Sequence, residues 1–411
     1  MCGITGVFAP NDKLQDSEKE QALNAASLIS HRGPDHLGYW EDENIFITHN
    51  KLSILDFSES SNQPILSNNV VSVFNGEIYN FEELKIKYTF PDKFIDSDVI
   101  NALYQKNGIN FIEEIEGDFA IALYDKSSKR LFLIRDRLGV KPLVYHTSNG
   151  KIYFSSEAKT FNAFSAVKLE PNIDKIVTDL LMWFWADKEE TYFKDVINIK
   201  AGEYIVIDSK GLIKNIYWDI PFNKYPTVTE DQIKNALEVS TQSRLQGEAK
   251  FATLLSGGLD SSLLTAMIAK KSKPLTSYTI KYDDGENNND FEFATQLAST
   301  YPNINHRINL IPKKDITIKT VDTITYYLEE VMWDKVYYSM FINYLTASQD
   351  GFRIIINGQG SDEVWLGYYH DFPHYKFKES QLSSSYLTQY FILENIKDIK
   401  ILSERYRDIS H

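Results

Sequence analysis

The 411-residue chain has almost no cysteine, no long apolar run and an excess of acidic over basic residues. A single cysteine cannot form an internal disulfide, which favours a reducing compartment, and we expect a cytoplasmic protein. The densest apolar stretch, residues 180–185, is far shorter than the ~20 residues of a membrane helix, and no signal peptide is expected. The net charge of −14 argues against a nucleic-acid-binding surface. What is left is a globular chain long enough for two or three domains.

The position of the lone cysteine is more informative than its rarity. Cys2 directly follows Met1, and methionine is commonly removed before a small residue, so we expect Cys2 to become the N-terminus. A terminal cysteine carries its own base, because an α-amine has a pKa of roughly 7.7–8. The pattern predicts a nucleophilic thiol, with a leftover buried thiol as the alternative.

Residues 251–268 read as a buried strand, a tight turn with two glycines and a helix. The turn, SGGLDSS at residues 256–262, places hydroxyl and backbone N–H groups beside a helix N-terminus, an arrangement that binds anions. Gly257 and Gly258 let the backbone approach a phosphate closely. The spacing and the lysine of a Walker P-loop are absent. The alternative is a Ser/Gly turn without a ligand.

Residues 353–368 repeat this pattern, with a strand that runs into glycines and acidic residues. From residue 229 onward strands and helices alternate, which predicts an α/β domain with a mostly parallel sheet. In such sheets ligands bind beyond the carboxyl ends of the strands. We therefore expect the two turns to face each other at one edge of the sheet.

The first half has many short strands interrupted by helices, which predicts an α+β or layered αββα domain. Its polar motifs are HRGPD at 31–35, LSILD at 52–56, NGEIYN at 75–80, an acidic helix start around residue 98 and RDRLGVKPL at 135–143. Prolines at 221 and 226 predict a linker. We therefore expect one domain at residues 1–218 and a second at 228–411.

In this order the motifs of residues 2–205 resemble the class II glutamine amidotransferase domain, an α+β N-terminal-nucleophile fold in which an αββα sandwich stacks two sheets between helices. The resemblance implies that Cys2 attacks the side-chain amide of glutamine. It also implies that the Asn75 side chain and the Gly76 N–H form the oxyanion hole and that Asn75 contacts the bound substrate. Glu77 and Asp98 would hold the amino end of glutamine, although each carboxylate taken singly reads as a solvated surface charge.

The same resemblance assigns roles to two basic residues. Arg32 and its loop would close over the bound glutamine. The family has an arginine before the LSILD motif, where it binds the glutamine α-carboxylate, and this chain has Lys51 there. Lysine keeps the charge but loses the bidentate fork of arginine, so we expect weaker glutamine binding.

The turn at 256–262 resembles the pyrophosphate loop of ATP pyrophosphatases, and residues 353–368 are similar to the second nucleotide motif of asparagine synthetases. The resemblance implies that Asp260 and Asp362 hold Mg²⁺, which prefers oxygen ligands. The residues that it assigns to ATP binding are Leu254, Ser256, Gly257, Gly258, Asp260, Ser261, Ser262, Ile280, Gly358 and Gln359.

Together the two halves resemble a glutamine-hydrolysing asparagine synthetase, which amidates an adenylated aspartate and releases AMP and pyrophosphate. Two departures are visible: Gln359 replaces a glutamate of the family, and the sequence stops at residue 411, before the family's closing helices. Two alternatives therefore stay open, an amidotransferase for another carboxylate and a glutaminase or partner subunit with an impaired synthetase site. We expect small-molecule substrates, neither nucleic acid nor membrane as a partner, and homodimerisation as an open question.

Overall fold

The computed structural model describes residues 1–182, 189–221, 227–271, 274–283, 289–312, 316–332 and 336–365. Contacts along the chain define two compact units. The larger comprises Met1–Pro171 and Lys188–Asn357, and the smaller comprises Asn172–Asp187 and Gly358–His411. No helix among the described residues is long and apolar enough to cross a bilayer.

Twelve strands are described in the first 218 residues. In chain order they are β1 (Gly3–Phe8), β2 (His36–Asp42), β3 (Ile45–Lys51), β4 (Ile65–Leu66), β5 (Val70–Ile78), β6 (Gly117–Asp125), β7 (Arg130–Arg135), β8 (Val144–Ser148), β9 (Lys151–Ser155), β10 (Val196–Asn198), β11 (Glu203–Asp208) and β12 (Gly211–Ile216). They form two six-stranded sheets with the orders β10-β8-β9-β1-β3-β2 and β12-β11-β7-β6-β5-β4. All of their paired neighbours run antiparallel.

The two sheets are flanked by α1 (Asp16–Leu28), α2 (Phe81–Tyr88) and α3 (Asp96–Asn107). The 3-10 turns of this half are at Glu59–Ser61, Gly108–Glu113 and Ala158–Ala163. The helix α4 (Ile173–Met182) belongs to the smaller unit.

Three buried apolar clusters show how these elements stack. One lies between the sheets and includes Ile4 of β1 and Val73 of β5. A second joins the β5 sheet to α2 and α3, and a third joins the β1 sheet to α1 and the turn Ala158–Ala163. The order is therefore helix, sheet, sheet, helix, and the predicted αββα sandwich is confirmed.

The second half alternates helices and strands. Its elements are α5 (Glu230–Ser243), β13 (Phe251–Leu254), α6 (Leu259–Lys271), β14 (Leu275–Asp283), α7 (Asn289–Thr300), β15 (Ile304–Pro312), α8 (Ile318–Leu328), α9 (Val336–Gln349), β16 (Ile354–Ile356) and α10 (Ser361–Trp365), the last in the smaller unit. The four strands form a parallel sheet in the order β15-β14-β13-β16, which confirms the predicted α/β domain.

Local sequence explains where several elements begin and end. Thr229 caps α5: its hydroxyl accepts the N–H of Gln232 at 3.3 Å, and the Gln232 side chain accepts the Thr229 N–H at 2.9 Å. β5 carries residues 75–77 inside the strand. The expected domain boundary between residues 218 and 228 stays a prediction, because residues 222–226 lie outside the described part of the chain.

Candidate active site

The Cys2 thiol lies just before β1 and is held by the backbone of one residue, Leu52. The Leu52 N–H donates to Cys2 Sγ at 3.4 Å, and the thiol donates to the Leu52 carbonyl at 3.7 Å. Burial raises the pKa of this thiol, so it needs a nearby base to become a thiolate. Burial also lowers the pKa of the Met1 α-amine to about 5. The Met1 amine is therefore uncharged at neutral pH.

A buried ion cluster supports the Cys2 backbone. Arg32 Nε donates to the Cys2 carbonyl at 2.9 Å, and Arg32 Nη1 donates to Glu157 Oε1 at 2.7 Å. Burial alone would raise the pKa of Glu157, but hydrogen bonds from His31 and Lys159 and the charge of Arg32 lower it to about 2. Glu157 is therefore ionised at neutral pH. Among the described residues no group bonds the buried Arg32 Nη2, which leaves one donor for a ligand.

Asn75 and Gly76 lie in β5, which contacts β1 across the two sheets. Asn75 is fully buried, and neither atom of its amide has a hydrogen-bond partner within the described residues. A buried amide without hydrogen-bond partners costs free energy on folding, so we expect a polar ligand to bind there. Gly76 has a φ of +152°, and a Cβ on it would lie 2.0 Å from the Asp118 carbonyl oxygen. Only glycine fits this position.

Two carboxyl groups interact closely here, that of Glu77 on β5 and that of Asp96 at the start of α3. Burial raises the pKa of Glu77 well above its usual value, and Asp96 raises it further by its charge and a hydrogen bond. Burial likewise raises the pKa of Asp96 to about 7, although the N–H groups of Ile78 and Ser97 oppose that shift. The pair therefore retains a proton near neutral pH until a cation arrives. The charge of Glu77 also acts on Cys2, which places the pair near the thiol.

The glycine turn of the second half follows β13 and opens α6. Ser261 Oγ lies 2.8 Å from Ser256 Oγ and accepts the Ser256 N–H at 3.2 Å, so the two serines hold the turn together. Gly257 has a φ of +97°, and a Cβ on it would lie 1.8 Å from the Asp290 carbonyl oxygen. Gly258 is exposed, and Asp260 is half-buried in the first turn of α6. A backbone turn with free access at a helix N-terminus suits a phosphate group.

Two family models match these two halves. A model described as a glutamine amidotransferase domain matches residues 1–218, and one described as asparagine synthase matches residues 232–408. The chain belongs to the glutamine-hydrolysing asparagine synthetase family.

Curated relatives are similar over most of this chain but are longer. Amidase chry2 of Gibberella zeae is 29% identical over 85% of the chain and 55% of its own length. Asparagine synthetase 2 of Bacillus subtilis is 28% identical, with coverages of 90% and 52%. Asparagine synthetase B of Escherichia coli is 27% identical, with coverages of 92% and 66%. The chain thus spans about half to two thirds of these family members.

The role of Asp98 at the amino end of glutamine stays a prediction, and the structure shows a second acidic residue near Glu77. Asp98 is half-buried, and its carboxylate accepts the Ile95 N–H at 3.1 Å, where it caps the start of α3. The carboxyl group beside Glu77 belongs to Asp96. The signal was present in the sequence, because Asp96 lies on the same helix face as the buried apolar residues Val99, Ile100 and Leu103.

Lys51 differs from its assignment as a ligand of the glutamine carboxylate. It is buried, and its ammonium donates to Ser58 O at 3.0 Å, Ser61 Oγ at 2.6 Å and Asn62 Oδ1 at 3.0 Å. An ammonium group has three hydrogens, and all three are used. In this conformation Lys51 holds the segment 58–62 rather than a substrate.

The second nucleotide motif belongs to the smaller unit. Gly358 accepts the Ser361 N–H at 3.2 Å through its carbonyl, and Gly360 has a φ of +93° ahead of α10, which carries Asp362. This tight turn places Gln359 just ahead of α10 and Asp362 in the first turn of that helix. The pairing of Asp362 with Asp260 stays a prediction. So do the nucleotide roles of Leu254 and Ile280, which lie half-buried on β13 and β14.

Proposed function

We propose that this chain hydrolyses glutamine at Cys2 and uses the ammonia to amidate a carboxylate that ATP has activated. The observation that carries the proposal is the buried, unpartnered polar set around the N-terminal thiol: the Asn75 amide, Arg32 Nη2 and Glu77 Oε2. Buried polar groups are usually hydrogen-bonded, so three such groups without partners among the described residues favour a ligand there. The two family domains, in this order, support the same conclusion.

The glutaminase step follows from the residues in place. After removal of Met1, the Cys2 α-amine accepts the thiol proton, and Sγ attacks the side-chain carbonyl carbon of glutamine. The Asn75 amide and the Gly76 N–H donate to the developing oxyanion. The protonated amine then gives its proton to the departing ammonia, and water later releases glutamate from the thioester. Glu77 and Asp96 bind the glutamine ammonium, whose charge favours loss of their shared proton.

The second reaction is assigned to the α/β domain. The turn at 256–262 would bind the phosphates of ATP, with Leu254, Ile280, Gly358 and Gln359 completing the nucleotide site. Asp260 and Asp362 would supply the carboxylate oxygens that Mg²⁺ prefers, and the metal would neutralise charge on the phosphates.

Aspartate is the proposed acceptor, which would give asparagine, AMP and pyrophosphate. The similarity to amidase chry2 of Gibberella zeae favours a second candidate, an amidotransferase for a different carboxylate. Gln359 favours a third, a glutaminase or partner subunit, because glutamine cannot accept a proton as a carboxylate does. A cytoplasmic location and a homodimer remain proposals.

The nucleophile is tested by Cys2→Ala. We expect loss of glutamine hydrolysis while ammonia-dependent amidation continues, measured as glutamate and AMP release. Retention of Met1 behind an N-terminal tag should have the same effect, because it removes the proposed base. Equal loss of both activities in Cys2→Ala would contradict a two-site enzyme. Labelled aspartate with ATP then separates the acceptors, since AMP that forms without labelled asparagine points to another carboxylate.

A further inference from the structure

Residues 52–57 form the segment that touches the thiol, and we call it the thiol segment. It follows β3, and the N–H and carbonyl groups of Leu52 make both hydrogen bonds with Cys2 Sγ. Phe57 is exposed at its far end. Any group that fixes this segment therefore fixes the direction from which the thiol is approached.

An ion pair from the α/β domain holds the thiol segment. Arg353 directly precedes β16, and its guanidinium binds the Asp35 carboxylate through both nitrogens, at 2.5 and 3.0 Å. Asp35 Oδ2 in turn accepts the Ser53 N–H at 2.7 Å, and Arg353 Nη1 donates to the Ser53 carbonyl at 3.4 Å. The hydrogen bond from Arg353 is the main cause that lowers the pKa of Asp35, so the carboxylate is ionised at neutral pH. Only the Leu52–Ser53 peptide separates this pair from the thiol.

A second contact reaches the thiol segment from the residues before β13. The Ile54 carbonyl accepts the N–H groups of Glu248 and Ala249 at 3.2 and 3.1 Å. Gly247 packs so closely that a Cβ on it would lie 2.9 Å from the same carbonyl oxygen, and its φ of +99° also requires glycine. The amino ends of two neighbouring strands, β13 and β16, therefore both bind this segment.

We propose that Arg353 is a positioning residue for the Cys2 thiol and acts across the domain boundary through Asp35 and the thiol segment. A bidentate guanidinium fixes the plane of a carboxylate as well as its distance. The fixed Asp35 carboxylate holds the Ser53 N–H, and the adjoining Leu52 peptide keeps Sγ in place. The inference rests on the proposed function only where it treats Cys2 as the nucleophile.

The lone cysteine allows a direct test in the 411-residue chain. Cys2 is the only cysteine, so the rate at which iodoacetamide alkylates the protein reports on this thiol alone. Arg353→Met keeps an apolar stem near the Phe57 ring and removes the guanidinium. We expect alkylation to become about three- to tenfold faster, because a partly exposed ion pair of this kind contributes roughly 1 kcal/mol to holding the thiol buried. Arg353→Lys should show a smaller increase.

The chain offers a matched control. Arg307 bonds both Asp350 oxygens at 3.2 Å, and this pair lies within the α/β domain. Arg307→Met removes an arginine–aspartate pair without touching the thiol segment, so its alkylation rate should equal that of the wild type. Thermal unfolding of each variant identifies changes that come from lower overall stability.

Kinetics and a double-mutant cycle complete the test. For Arg353→Met we expect a lower kcat for glutamine hydrolysis with KM changed less than about twofold, because Arg353 makes no contact with the Glu77–Asp96 pair. Asp35→Asn should match it, and the double variant should be no worse than either single one. Should Arg353→Met unfold, Arg353→Lys and Asp35→Asn decide. The inference would be overturned if Arg353→Met, Arg353→Lys and Asp35→Asn were all alkylated at the wild-type rate. It would also be overturned if alkylation of Arg307→Met were accelerated as much as that of Arg353→Met. Absent glutamine hydrolysis in the wild type would refute the proposed function and leave the alkylation comparison intact.

Discussion

Replacing Asp96 with asparagine removes one of two adjacent buried carboxyl groups without changing its shape. Burial raises the pKa of Asp96 from 3.8 to about 7, a difference of about three units. At 1.36 kcal/mol per unit, the ionised folded state loses up to about 4 kcal/mol relative to the unfolded chain. Asparagine has one acceptor oxygen, so it can accept only one of the Ile78 and Ser97 N–H groups, and leaving the other unbonded costs about 1–3 kcal/mol. We therefore expect a net stabilisation of about 1–3 kcal/mol.

The stabilisation should depend on pH with a definite sign. A carboxyl group whose folded pKa is raised keeps its contribution to stability below pH 3.8 and loses it as the pH rises towards 7. The free energy of unfolding of the wild type therefore falls between pH 3.8 and 7 because of this group. In the asparagine variant this contribution to the fall is absent. Urea unfolding at pH 4 and at pH 8 should show a variant no more stable than the wild type at the lower pH and more stable than it at the higher one.

The same variant should lose substrate affinity. If Asp96 binds the glutamine ammonium, Asp96→Asn should raise the glutamine KM about 10- to 100-fold, the range expected for one charged hydrogen bond. Asp98→Asn is the matched control, because its carboxylate caps α3, and we expect slight destabilisation with an unchanged KM. A raised KM in Asp98→Asn together with a normal one in Asp96→Asn would refute the assignment.

Three further predictions address other residues. Asn75→Ala should lower kcat for glutamine about 10²- to 10³-fold with a similar KM, whereas Ser72→Ala, another buried and unpartnered group on β5, should leave kcat unchanged. Lys51→Arg should lower the thermal midpoint without lowering the glutamine KM, because the larger head group does not fit among three acceptors within 3.0 Å; a lower KM would show that this side chain turns to the substrate. Asp260→Asn should abolish ATP-dependent AMP release and spare glutaminase activity, and Gln359→Glu should raise amide formation only if the synthetase site works without a partner.

Local patterns in the sequence predicted most of the fold. The strand, glycine turn and helix of residues 251–271 appear as β13 and α6, and Gly257 has the positive φ that the turn requires. Strand alternation and helix periodicity are short-range properties, so the sequence alone shows them. The layered arrangement of the first half followed from the family resemblance, and the three apolar clusters confirm it.

What the sequence did not show concerns side chains whose partners lie elsewhere in the chain. Asp96 and Asp98 are two residues apart, and only the packing of α3 against β5 shows which carboxyl reaches Glu77. Lys51 was assigned by its alignment with an arginine, whereas its partners come from a 3-10 turn that follows it. The ion pair between Arg353 and Asp35 joins residues 318 positions apart, which no local pattern indicates.

The attachment of the thiol segment to the amino ends of β13 and β16 restricts which insertions and deletions the chain tolerates. β13 begins next to the thiol segment and ends at the glycine turn, and its four residues span only about 13 Å. One added or removed residue would move every later side chain of the strand to the opposite face of the sheet. It would also change the distance between the thiol segment and the glycine turn. Substitutions along β13 and β16 can be absorbed by repacking, but changes of length cannot. Length variation among family members should therefore fall in the loops outside these two strands.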